Sequence, residues 1–356
     1  MKRTKGNPPN PPSLATQMKR RVHAPPEIKK TFEYDGDDSQ MISTGSTLLD
    51  LEISGGRIRG GGLPSGILVE IFGPSSSGKT VLLCEMAGAI QRQNGQIMFN
   101  DPESRLNKQF AEIFDFRVDA KDYHTPDIVP EVFSAIHSWK VPKDRVHGIF
   151  TDSLAALSTN MEMTEEDGDK MGMRRAKEFS EGFRKTCRLI TKNKYLMVCS
   201  NQVRQAIGAT KFEPKYHTPG GEATGFYASL RLQTRNPQKI KKEITIQNKT
   251  VKKVKGVTVM VAVFKSSVWK PYGAAPVTIL FDYGIDDIRQ NLQYIKNYTS
   301  ATQYSLNGEQ LSSVMEDAIS IIEERGSEKE LKEEVIDLWE SIDKKFKSAR
   351  KKKVRV

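Results

Sequence analysis

Residues 67–92 read ILVEIFGPSSSGKTVLLCEMAGAIQR, and this stretch decides the fold. An aliphatic run at 67–72 leads into GPSSSGKT at 73–80, and a helical run, VLLCEMAGAI, follows. The pattern G-x-x-x-x-G-K-[ST] carries meaning only in such a context. A strand delivers the chain, a loop of small residues closes its backbone N–H groups around phosphate oxygens, and a helix turns its positive end to the anion. Gly73, Pro74, Ser75, Ser76, Ser77 and Gly78 therefore form a candidate cradle for the phosphates of ATP. Lys79 is placed to reach the β and γ phosphates, and the Thr80 hydroxyl to bind Mg²⁺.

Outward from this loop, short β-branched and aliphatic runs alternate with longer amphipathic ones. The pattern predicts strands at 67–72, 96–100, 148–151 and 195–200, and helices at 79–93, 104–114, 127–139 and 172–192. That alternation implies an α/β fold, a mostly parallel sheet covered by helices. Ligands bind such sheets at the carboxyl ends of the strands, so polar residues there are the candidates for chemistry. Asp152 ends HGIFTDSLAAL and is a candidate Mg²⁺ ligand, although an Asp there can also cap a helix. Glu103 follows a strand end in IMFNDPES and can polarise water, with Asp101 close enough to compete. Gln202 closes YLMVCSNQVR, where its amide can sense a γ phosphate at the mouth of the irregular stretch 203–221.

After that stretch, FYASLRLQT, KEITIQ, GVTVMVAVFK and PVTILFDYG read as antiparallel or edge strands completing the sheet, and from Asp287 onward the pattern is helical and charged. The first 40 residues are rich in Pro and Lys, as in NPPNPPS and APPEIKK, a composition that disfavours a packed core. Four segments follow: a flexible basic arm at 1–41, a core at 42–286, a small helical domain at 287–343 and a basic tail at 344–356.

Charge is clustered along these segments. Residues 1–30 carry eight Lys/Arg and one acid, and 344–356 carry eight and none, so the +11 total less +15 in the two ends leaves −4 between them. Within the interior, 239–255 holds seven Lys and one Glu and reads as a basic hairpin. Clusters of this kind are the footprint of a polyanion binder. Cys84, Cys187 and Cys199 are scattered without CxxC spacing, as are the five histidines, which argues for reduced thiols and against a metal site built by the protein. No stretch approaches the ~20 apolar residues of a membrane span, and the basic N-terminus lacks a signal-peptide core, so a cytoplasmic protein without membrane partners is expected.

These motifs match one family in order, spacing and wording. From ISTGSTLLDL through GGLPSGILVEIFGPSSSGKT, DPES, TDSLAAL, GDKMGM, SNQVRQAIG and TPGGEATGFYASLRL to DYGID, covering most of 42–286, the chain resembles the RecA strand-exchange recombinases of bacteria and bacteriophages. The resemblance implies a RecA-like P-loop ATPase core that uses ATP and Mg²⁺, self-associates into helical filaments on single-stranded DNA and pairs it with duplex. It implies that Glu103 is the catalytic carboxylate, Gln202 the γ-phosphate switch and Phe110 the adenine-stacking aromatic. DNA-binding loops fall at about 158–172 and 203–221, giving Met171, Gly172, Arg174, Arg175, Arg204, Ile207 and Lys211 as DNA contacts. Arg231 and Arg235 match basic positions of a secondary DNA site, other such positions are Asn236, Met260 and Ala262, and Lys241 and Lys242 in the basic hairpin take over their charge.

Phe226 matches a subunit-interface position, and Lys265 one of two lysines that reach a neighbour's ATP. The second is Ser267 here, so the expected contact to the adjacent nucleotide is either weaker or supplied by Lys270. The arm barely resembles the family's polymerisation helix, and the tail is basic where relatives are acidic. Single-strand-binding or loader proteins are implied partners, and the location is nucleoid-associated, or the host cytoplasm for a viral source. Two other readings use the same motifs, a ring-forming helicase and a mediator that binds ATP without turnover; the intact Glu103 and Asp152 count against the second.

Overall fold

The computed structural model describes residues 40–160, 171–205, 216–217, 222–247 and 249–350. Its centre is β1 (Leu68–Gly73), buried at every residue, as expected of a parallel strand sealed on both faces. The chain enters with Ile42, which is buried and bridges to Leu63, and passes through the short helix α1 (Thr47–Asp50). After β1 come α2 (Lys79–Arg92), β2 (Ile97–Asn100), α3 (Lys108–Ile113), β3 (Tyr123–His124), α4 (Val129–Ser138) and β4 (His147–Thr151). Then follow α5 (Met171–Lys192), β5 (Tyr195–Gln202), the pair β6 (Arg204–Gln205) and β7 (Tyr216–His217), and α6 (Glu222–Tyr227). The long ribbon of β8 (Leu230–Ile246) and β9 (Lys249–Ser266) leads to β10 (Ala274–Leu280) and β11 (Gly284–Ile285).

The main sheet runs in the order β11-β10-β9-β8-β1-β5-β4-β2-β3. Pairing is parallel from β8 through β3 and antiparallel from β8 to β11. Strand alternation supplies two cores. Val69, Ile71, Ile97, Phe99, Leu196 and Val198 face α1, α2 and the C-terminal elements, whereas Leu68, Met98, Ile149, Met197 and Cys199 face α4 and α5. α5 buries Phe179, Phe183, Thr186 and Ile190, spaced by helical turns along one side.

The C-terminal elements are α7 (Asp287–Tyr298), a hairpin of β12 (Tyr304–Leu306) and β13 (Glu309–Ser312), α8 (Met315–Arg325) and α9 (Glu328–Phe346). The segment read as purely helical thus contains a small sheet. Its Leu292, Ile295, Ile322, Val335 and Trp339 join the first core, and Asp37–Val356 forms one compact unit. Polar ties reinforce this: Asp287 accepts from Thr47 N (2.7 Å) and Thr47 Oγ1 (2.6 Å), and Trp339 Nε1 donates to Glu52 (3.0 Å). No helix among the described residues is long and apolar enough to cross a membrane.

Several element boundaries differ from the sequence reading. The helix expected from 104 begins at Lys108, because Asn107 accepts from Phe110 N (3.1 Å) as its cap. FYASLRLQT is not one strand: Phe226 and Tyr227 end α6, and a single strand runs from Leu230 through to Ile246 in KEITIQ. α5 begins at Met171, one residue before the helix expected from 172 and inside the loop expected at about 158–172, and the irregular 203–221 stretch contains the β6–β7 pair.

Candidate nucleotide site and nucleic-acid interface

Four adjacent strands, β1, β5, β4 and β2, bring their carboxyl ends to one edge of the sheet. Gly73 ends β1 and lies opposite Gln202, the last residue of β5. Asp152 directly follows β4, and Glu103 lies in the turn after β2. Parallel pairing in register therefore gathers residues more than 100 positions apart in the chain.

The 73–80 loop is tightly set. Gly78 takes φ of 80°, a left-handed conformation that strains any side chain and so favours glycine where the chain turns into α2. Ser77 Oγ bonds Pro74 O and Thr234 Oγ1, both at 2.7 Å. Lys79 is buried, and its ammonium donates to Gly73 O (3.2 Å) and Pro74 O (2.7 Å). Burial lowers its pKa, against the opposing pull of Asp152 and Glu103. Thr80 Oγ1 donates to Asp152 Oδ2 (2.5 Å), and Ser200 Oγ donates to Oδ1. Burial raises the Asp152 pKa, although these hydroxyls and Lys79 oppose it. A hydroxyl and a carboxylate oxygen converging beside the lysine are hard donors suited to Mg²⁺.

Glu103 accepts from Ser153 Oγ (3.0 Å) and pairs with Arg105 Nη1 (2.5 Å). Arg105 is 75% exposed, so this pair is screened, is worth about 0–1 kcal/mol and opens easily. Asp101 is engaged elsewhere: it is buried, and its Oδ2 accepts from Leu106 N (2.7 Å) and Tyr123 Oη (2.8 Å), shaping the turn into α3. Gln202 is half-buried; its N–H donates to Asn201 Oδ1 (3.1 Å), and Val203 N reaches Gly73 O (3.4 Å). Phe110 is half-buried on α3, its ring 5.8 Å from that of Phe114.

Of the residues expected to touch DNA, Arg174 is exposed and Arg175 half-buried on the first turns of α5. Met171 and Gly172 begin that helix, and Arg204 lies in β6 opposite His217. Ile207 and Lys211 lie outside the described residues. Arg235 is exposed and donates to Gln233 (2.7 Å), and Lys241 and Lys242 are exposed on the β8–β9 ribbon.

Arg231 differs from its sequence reading as a DNA contact. Its Nε donates to the fully buried Glu70 (2.5 Å), and the guanidinium lies 4.5 Å from the Phe72 ring and 5.3 Å from that of Phe264. A cation so enclosed serves the sheet. Lys270 is also occupied, paired with Asp343 (3.3 Å) and lying over the Trp269 ring. Phe226, by contrast, is 76% exposed at the end of α6. Lys265 caps that helix, donating to Gly225 O (2.9 Å) and Phe226 O (3.0 Å). Ser200, Ser153, Thr234, Asn201 and Glu70 went unread in the sequence. Each is an unremarkable polar residue whose partner is set by strand neighbours, and only the Ser beside Asp152 carried any local signal.

The family described as RecA N-terminal domain matches residues 26–286. Among known proteins, the chain is 33% identical over 294 residues to Protein RecA of Delftia acidovorans, covering 81% of this chain and 75% of that protein. It is 33% identical over 297 residues to Protein RecA of Synechocystis, covering 81% and 80%. It is 31% identical over 304 residues to Protein RecA of Halalkalibacterium halodurans, covering 83% and 82%.

Proposed function

Since the chain belongs to the RecA family, we propose that it is an ATP-dependent recombinase that polymerises on single-stranded DNA and exchanges it with homologous duplex. The recombinase role is the family's. The observation that carries the finer reading is the convergence of the 73–80 loop, Asp152, Glu103 and Gln202 on neighbouring strand ends. Core residues 42–286 would hold this chemistry, with 1–41 docking on a neighbour, 287–343 as an appended domain and 344–356 as a basic tail.

In this reading the loop N–H groups and Lys79 hold the phosphates of ATP, and Phe110 stacks on the base. The lysine gives up two backbone carbonyls for phosphate oxygens, a favourable exchange for a buried cation. Thr80 and Asp152 would hold Mg²⁺, which when bound neutralises charge on the phosphates. Glu103, oriented by Ser153, polarises the attacking water, and Gln202 hydrogen-bonds the γ phosphate. Because only Val203 separates Gln202 from β6, a shift at that amide passes into the 203–221 segment, where Arg204, Ile207 and Lys211 contact DNA. Met171, Gly172, Arg174 and Arg175 contribute from α5, and Arg235, Lys241 and Lys242 from the ribbon. Phe226 and Lys265 face the adjoining subunit and its ATP.

The test is ATP turnover with and without single-stranded DNA, together with negative-stain microscopy in a non-hydrolysable ATP analogue. DNA-stimulated turnover and open helical filaments are expected. Closed rings would assign the chain to the helicase reading, and filaments without turnover to the mediator reading.

A further inference from the structure

The turn after β2 fixes its backbone and leaves one long cationic side chain in solvent. Asp101 is buried, and it ties both ends of 104–106: its carboxylate accepts from Leu106 N (2.7 Å) and its carbonyl from Ser104 N (3.0 Å). Ser104 takes φ of 51°. A left-handed conformation is uncommon outside glycine and persists where the surroundings impose it, often at functional sites. Half-buried Leu106 packs against the first core. Between these anchors stands Arg105, its side chain 75% exposed.

Arg105 rests on the carboxylate that the site needs. Ser153 donates to Glu103 Oε1 (3.0 Å), so Oε2 is the oxygen left for water, and Arg105 Nη1 occupies it at 2.5 Å. The guanidinium has to move aside before Glu103 can act as a base, and a pair so exposed opens at little cost. The cations that the family resemblance assigns to this chemistry lie elsewhere. β8 runs parallel to β1 and β9 antiparallel to β8, so Lys265, Ser267 and Lys270 lie toward the end of the sheet remote from Gly73 and can serve only a nucleotide held by another subunit. Serine at 267 removes one positive charge from that set, and Lys270 is held by Asp343 and by the Trp269 ring.

A guanidinium presents its donors in a planar fork that matches phosphate oxygens. Water attacking the γ phosphate stands between that phosphate and Glu103, so the anion nearest to Arg105 once it leaves the carboxylate is the γ phosphate itself. We propose that Arg105 is a catalytic arginine acting within its own subunit: it rests on Glu103 in the nucleotide-free chain and moves onto the γ-phosphate oxygens when ATP binds. That move bares Glu103 to water and sets a positive charge where negative charge develops in the transition state. In the step it assists, the water oxygen bonds to the γ phosphorus while the bond from that phosphorus to the bridging oxygen breaks. ADP leaves with the electron pair, the water proton passes through Glu103 to solvent, and Arg105 keeps its own proton throughout. The proposal rests on the ATPase reading of the strand-end site.

The test uses the full-length chain with Mg²⁺ and single-stranded DNA. Displacement of a fluorescent ADP analogue reads affinity for ADP and for ADP with aluminium fluoride, a mimic of the phosphoryl group in transfer; turnover is measured beside it. Arg105→Ala should leave ADP affinity unchanged, which also establishes that the exposed substitution keeps the site folded. It should lose about 10²-fold or more of the affinity that aluminium fluoride adds and slow DNA-stimulated turnover by about 10³. Arg105→Lys keeps the charge without the fork and should recover part of both losses. Glu103→Gln/Arg105→Ala should bind the aluminium fluoride complex more weakly than Glu103→Gln, because the arginine touches phosphate and does not act through the carboxylate. Faster turnover in Arg105→Ala would make its contact with Glu103 a brake and overturn the proposal. Undiminished aluminium fluoride affinity in Arg105→Ala, or equal affinity in the double variant and Glu103→Gln, would overturn it as well. Absence of ATP turnover in the wild-type chain would instead overturn the ATPase reading itself.

Discussion

Replacing Arg231 with Met strands the Glu70 carboxylate inside the sheet. Glu70 is fully buried in β1, three residues before the phosphate loop; its Oε2 accepts from Arg231 Nε (2.5 Å) and its Oε1 from Asn201 Nδ2 (3.1 Å). Arg231 is itself only 17% exposed, so solvent screens the pair little. Removing one partner of a buried pair costs about 3–5 kcal/mol, because the other charge is left uncompensated. Losing the guanidinium over Phe72, 4.5 Å from the ring centre, adds roughly 0.5–2 kcal/mol.

A loss of about 4–6 kcal/mol is a large fraction of the ~5–15 kcal/mol that stabilises a domain. With a urea m-value of about 3 kcal/mol/M or more for a chain of this size, the unfolding midpoint should fall by roughly 1–2 M. Glu70→Met/Arg231→Met should recover much of this, since apolar groups of similar volume often replace a buried pair at little cost. Asn201 then loses an acceptor, so recovery is incomplete. The measurement is urea unfolding of the nucleotide-free chain by far-UV circular dichroism, for both single variants and the double. The reasoning fails if Arg231→Met costs less than about 1 kcal/mol, or if the two single losses simply add in the double variant.

Four further outcomes follow from the site. Glu103→Gln should bind ATP and slow DNA-stimulated turnover by about 10²–10⁴, whereas Lys79→Ala should impair binding or its productive use; full turnover in Glu103→Gln would remove that carboxylate from the chemistry. Gln202→Ala should bind ATP but lose the nucleotide-dependent gain in DNA affinity, measured by fluorescence anisotropy with and without ATP analogue. Gly73→Ala should weaken both nucleotide binding and stability, the latter by about 1–3 kcal/mol, because its Cβ would lie 1.9 Å from Thr234 Oγ1 and 2.6 Å from Thr234 O; a fluorescent ATP analogue and urea unfolding read the two effects. Burial pushes Asp50 from 3.8 to about 6, against Lys332, Ser43 and Thr44. The folded chain therefore keeps a proton that the unfolded chain releases, and this group's contribution to stability declines as pH rises from about 4 to about 6, by roughly 3 kcal/mol. Asp50→Asn should flatten that part of the pH profile of unfolding; an unaltered slope would refute the assignment.

The sequence by itself determined what depends on neighbours along the chain. GPSSSGKT between an aliphatic run and a helical run identifies its own strand, loop and helix, because each part is needed for local backbone geometry. Apolar runs likewise located β2, β4 and β5 to within a residue or two, and the lysines of 239–255 marked a hairpin before its length was known. Tertiary structure decided what depends on partners across the sheet. By residue type alone Asp101 and Glu103 are indistinguishable two residues apart; the family resemblance pointed to Glu103, and only the tertiary structure shows Asp101 engaged by Tyr123 and Leu106 while Glu103 accepts from Ser153. Arg231 matched a basic position of a secondary DNA site in the sequence, and its buried partner Glu70 came into view only once β8 lay beside β1. Local backbone preferences are written in consecutive residues, whereas the partner of a buried charge is chosen by strand order and register, which bring together residues as distant as Glu70 and Arg231.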